Sequence, residues 1–105
     1  MKKLQLAGFI FLGSLLFFSS CKKDTITPSS VYVPTAADVT TTATLAQLQQ
    51  GRTIFVSSCG QCHGLYSPDS YSASSWQSIV PNMAARAGLS AANANLVLKY
   101  VTRGK

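Results

Sequence analysis

Apolar positions are distributed unevenly along this chain. An almost unbroken apolar run, Leu4 to Phe18, follows Lys2 and Lys3 and gives way to Ser19, Ser20 and Cys21. This basic, apolar, small-residue order is that of a cleaved export signal over residues 1–20. The run is short for a permanent span, which needs about 20 apolar residues to cross about 30 Å of hydrocarbon. From Lys22 to Thr42 periodicity vanishes. The stretch KKDTITPSSVYVPTAADVTTT is rich in Thr, Ser and Pro, and residues 21–42 read as a flexible tether reaching about 25 Å. The competing reading is that Val31, Tyr32 and Val33 wrap against the domain that follows.

Helical spacing begins near Ala43. Leu45, Leu48, Ile54, Phe55 and Cys59 fall on one face of a helix over residues 43–58, with Thr42 or Thr44 as its N-cap. Gly51 interrupts that face. A glycine inside a helix costs roughly 0.5–1 kcal/mol relative to Ala, so its presence points to a place where a second helix approaches closely. The partner is at the end of the chain, where Ser90 caps a helix carrying Ala94, Val97, Tyr100 and Val101 on one face and ending near Arg103 and Gly104. Between them, the Ser, Pro and Gly content of Leu65 to Ser90 predicts loops around a short helix near Ser74 to Val80. No alternating strand pairs are visible, so the domain over residues 43–105 is expected to be all-α.

Composition narrows the function. The chain has 105 residues, with nine Lys and Arg against three Asp and Glu for a formal charge of +6. Loss of Lys2 and Lys3 with the leader lowers this to +4. The remaining basic residues are scattered rather than gathered into a stripe, so no nucleic-acid partner is expected. A multidomain enzyme is excluded by length. At the leader junction, Phe18-Ser-Ser-Cys21 followed by Lys22 and Lys23 resembles the lipobox of bacterial lipoproteins. That resemblance implies Cys21 as the lipidated first residue of an exported protein held on a membrane, facing the periplasm.

Candidate chemistry is concentrated in Cys59-Gly-Gln-Cys62-His63. Two thiols three positions apart at a helix end can reach two vinyl groups on one porphyrin edge, and the next residue offers an imidazole to the iron. This is the c-type haem attachment pattern. Three other readings stay open. A thioredoxin-like dithiol would need a βαβ setting. A structural zinc site would need a fourth ligand, with only Asp38 or Asp69 on offer. A simple disulfide is possible in an exported chain but leaves His63 without a role. Size favours the haem, because a domain of roughly 60 residues buries only about 60% of its unfolded surface and is marginal without a staple.

His63 is the sole histidine, and Met83, twenty residues further on, is the sole methionine besides Met1. Met83 in Val80-Pro-Asn-Met83 is therefore the candidate sixth ligand, in a segment expected to be irregular because of Pro81, Asn82 and Gly88. Core filling is the ordinary alternative for a methionine.

Together Gly51-Arg-Thr-Ile-Phe55, Cys59 to His63, Trp76, Val80 to Met83, and Leu89-Ser90 leading to Tyr100 resemble the class I cytochrome c domain family over most of the mature chain. The resemblance implies a small helical fold around one covalent haem c, bonded at Cys59 and Cys62, with His63 as proximal and Met83 as distal iron ligand. It also implies that Gly51 and Phe55 pack on Tyr100, and that the carbonyl of Pro68 orients His63. Trp76, Tyr71 and Arg86 are candidates for contacts to the propionates, whereas Tyr66 and Lys99 read as surface. With both axial positions filled, the expectation is a one-electron carrier and not an enzyme, working with transient redox donor and acceptor proteins, either alone or as a subunit of a larger oxidoreductase. The alternatives are a haem enzyme or gas-binding module in which Met83 does not ligate, and a haem-free dithiol or metal-binding lipoprotein.

Overall fold

The computed structural model describes residues 25–105. The leader over residues 1–20 and the candidate lipidation site Cys21 lie outside the described residues. Among the described residues the protein is mostly helical, with three α-helices and a very small sheet: α1 (Leu45–Ser58), α2 (Ala73–Ala87) and α3 (Ala91–Val101), and β1 (Thr25–Ile26) paired antiparallel with β2 (Leu65–Tyr66).

Each helix starts where a side chain satisfies its free amides. Thr44 accepts from the Gln47 amide while Gln47 reaches back to the Thr44 amide, a capping box that settles the start of α1. Ser72 and Ser90 cap α2 and α3 without a reciprocal side-chain bond, each accepting from the amide three residues on. Gly88 ends α2 in the left-handed conformation, at φ 69°.

α1 packs chiefly on α3, which also packs on α2. The α1–α3 crossing is close because residue 51 has no side chain. A Cβ there would fall on the carbonyl oxygen of Leu96, 2.8 Å from the Leu96 carbonyl carbon and 3.0 Å from Tyr100 Cβ. Phe55, one turn on, packs on Tyr100 with ring centroids 5.7 Å apart and edge-on to Trp76 at 6.2 Å. Phe55, Trp76, Val80, Val97, Tyr100 and Val101 are the centre of the core, joined by Leu65 and Val31.

Two sequence expectations are corrected. The region around Met83 is helical, and α2 runs straight through Pro81. Pro81 and Gln77, the residue whose carbonyl loses its helical donor, are both exposed, so water can replace the missing bond and the helix tolerates the proline. The second correction concerns the tether, because from Thr25 to Pro34 it is docked. Val31 is 2% exposed and belongs to the core. The Arg52 guanidinium donates to the carbonyls of Pro28, Val31 and Tyr32 at 3.0–3.4 Å, and the Tyr100 hydroxyl donates to the Tyr32 carbonyl at 2.7 Å. The Arg103 guanidinium lies 3.9 Å from the centre of the Tyr32 ring. The segment has no regular periodicity to read because it is held by its backbone carbonyls and one valine.

Candidate functional site

The last turn of α1 and the loop after it carry the two candidate thiols. Cys59 caps α1, its amide bonded to the Phe55 carbonyl at 3.0 Å. Cys59 is half-buried and Cys62 exposed, and both are free thiols. Burial pushes the Cys59 thiol above its ordinary value. That is opposite to the lowered pKa of an attacking thiol in a dithiol oxidoreductase.

His63 Nδ1 lies 2.7 Å from the Gly64 carbonyl oxygen. The tautomer that makes this bond carries its proton on Nδ1 and leaves the Nε2 lone pair free for a metal. The His63 ring faces that of Tyr66, with centroids 5.2 Å apart. Pro68 does not orient His63. Its carbonyl accepts instead from Trp76 Nε1 at 2.7 Å and from Lys105 Nζ at 2.6 Å. Both donors are thereby committed to the loop over Pro68–Ser70, so the indole N–H of Trp76 has a partner within the protein.

Met83 is half-buried on α2. Trp76, Ile79, Val80, Met83, Ala84 and Ala87 follow helical spacing, and all six line one cavity of about 370 Å3. Cys59, Cys62 and His63 line the same cavity, with Phe55, Leu65 and Leu89 among its apolar walls. The structure thus brings together all four residues singled out around residues 59–63 and 83. Tyr71 and Arg86 line it too. Tyr66, expected at the surface, is a lining residue, placed there by the β1–β2 pairing. A two-residue strand is too short to leave an alternating signal, so only its distance from His63 hinted at it. Lys99 is away from the cavity, donating to Gln47 Oε1 at 3.1 Å.

The volume falls within the roughly 300–1,000 Å3 typical of cofactor and small-molecule sites, which are mostly apolar with a few placed polar groups. Among the described residues, no group of three or more His, Cys, Asp or Glu side chains converges closely enough to hold a metal ion. Two thiols and one imidazole stand among an otherwise mostly apolar lining. No family model matches the chain, and no curated protein or solved structure matches it.

Proposed function

We propose that this protein is a mono-haem c-type cytochrome with a small cytochrome c fold, a one-electron carrier tethered to a bacterial membrane through Cys21. The observation that carries the reading is the shared cavity: Cys59, Cys62 and His63 from the end of α1 and its loop, and Met83 from α2, line one apolar space. Cys59 and Cys62 would hold the macrocycle by thioether bonds, and His63 and Met83 would bind its iron.

A haem with His and Met ligands supplies reversible one-electron chemistry at a raised potential. The chain's own residues do the rest. The Gly64 carbonyl fixes the orientation of the His63 imidazole. Phe55, Trp76, Val80 and Val97 exclude water from the cavity and supply a low-dielectric wall, which lowers the reorganisation accompanying a change of charge. Met83 sits within a capped helix rather than a loop, which restrains its thioether. With His63 and Met83 both holding the iron, such a group would supply electron transfer rather than substrate chemistry, so the proposed role is to pass electrons between a donor and an acceptor and not to act as an enzyme. Its modest positive charge suits brief, small-area encounters with acidic partners.

The test is an optical spectrum of the mature protein made in a host competent for cytochrome maturation. A low-spin spectrum in both redox states, with a thioether-to-iron charge-transfer band that Met83→Ala abolishes, supports the carrier. A high-spin ferrous form with rapid carbon monoxide binding would assign it instead to the gas-binding class.

A further inference from the structure

The connection between Cys21 and the docked segment has a geometric consequence, and it rests on the lipid anchor of the proposed function. Four residue steps separate Cys21 from Thr25. Whatever their conformation, they span at most about 14 Å. From Thr25 the chain is fixed to the domain. β1 pairs with β2 in the register Thr25 with Tyr66 and Ile26 with Leu65. Gly64 lies so close that a Cβ on it would be 2.6 Å from Thr25 Cβ. Arg52 and Tyr100 then hold the carbonyls of residues 28–32.

A free tether from residue 22 to 42 would let the domain tumble about 25 Å from its anchor. A segment docked from Thr25 leaves no such slack. The part of the domain beside Thr25 is the edge bearing Cys62, His63, Gly64 and Tyr66. The start of α1 lies at the other end of that helix, about 20 Å away at 1.5 Å per residue. Lys22, Lys23 and Asp24 fall within the short connection, two positive charges against one negative for a net charge of +1; each lysine near an anionic surface contributes about 1 kcal/mol of attraction, part of which Asp24 offsets.

We propose that the β1–β2 edge, with the end of the cavity lined by Cys62, His63 and Tyr66, faces an anionic lipid surface. The docked segment is the bracket that sets this orientation. Electrons then enter and leave at headgroup level, which favours a membrane-embedded redox partner over one diffusing in the periplasm.

Hydrogen exchange on the mature lipoprotein, loaded into vesicles of phosphatidylethanolamine and phosphatidylglycerol, tests this. Two forms are compared: the native chain and one with a twelve-residue Gly-Ser insert after Asp24, which adds about 20 Å of slack. The native form is expected to lose exchange over residues 61–66 relative to the insert form, with residues 45–50 unchanged. Arg52→Gln, which frees the segment from its clasp, is expected to lose the same protection while the haem spectrum is kept. Equal exchange over 61–66 in native and insert forms, both retained on vesicles, overturns the orientation but leaves the anchor standing, and assigns that edge to a protein partner. A native chain that neither stays on vesicles nor carries lipid by intact mass overturns the anchor and the orientation together.

Discussion

Gly51→Ala probes the helix crossing on which the placement of Cys59 depends. Placed on an isolated helix, the substitution would stabilise by about 1 kcal/mol through propensity. Here the new methyl meets the carbonyl of Leu96 and Tyr100 Cβ. The first obstacle is backbone and cannot swing aside, so α1 and α3 must separate. Overpacking of this kind costs about 1–3 kcal/mol, and a backbone obstacle places it at the upper end. The net expectation is a loss of about 2 kcal/mol. For a domain of this size that lowers the melting temperature by roughly 8–16 °C. Urea and thermal unfolding followed by far-UV circular dichroism would read it. Thr53→Ala, an exposed site on the same helix, serves as the control and should stay within about 0.5 kcal/mol of the parent. A Gly51→Ala protein as stable as the parent, or more so, would refute the close crossing.

Val31→Ala removes two methyl groups from a core position that is 2% exposed. It should cost about 2 kcal/mol in urea unfolding, whereas a loss below about 0.5 kcal/mol, the size of a surface effect, would mean that residues 25–42 are a loose tether. Burial pushes the Tyr100 phenol up to about 12 from its ordinary 10. Its raised value in the folded state means that the contribution is complete below about pH 10 and is lost between pH 10 and 12, by at most about 3 kcal/mol. Stability measured against pH should therefore fall more steeply above pH 10 in the parent than in Tyr100→Phe, and parallel curves would contradict this. Asp38 is held below its ordinary value, chiefly by the Thr35 amide and also by the Tyr32 hydroxyl. Asp38→Asn should accordingly flatten the loss of stability below pH 4, measured by acid titration; an unchanged acid limb would count against that contact.

The ends of the domain were more legible than its middle. Thr44 and Ser90 cap their helices as polar residues before apolar faces usually do, and Gly51 marked the crossing because nothing but close approach explains a glycine on a buried face. The grouping of the candidate residues was legible as well: Cys59, Cys62, His63 and Met83, picked out by type and spacing, line one cavity. α2 was not, because Pro81 and the serines at its start suggest a loop. Its stripe from Trp76 to Ala87 carries the helical signal, and an exposed proline does not break it. The docking of residues 25–34 was least legible. It depends on Arg52 and Tyr100 reading carbonyls, and carbonyls are the same in every sequence. Pro68 misled for a related reason: which donor a carbonyl takes is decided by three-dimensional neighbours, here Trp76 and Lys105.

The proposed function requires a porphyrin bonded covalently in the cavity between α1 and α2. Intact mass and an optical spectrum of the mature chain, taken before and after denaturation, test it most directly. One haem should stay with the unfolded polypeptide and be lost from a Cys59→Ser, Cys62→Ser double variant. A colourless parent chain from a maturation-competent host, or a haem that departs on denaturation, would contradict it.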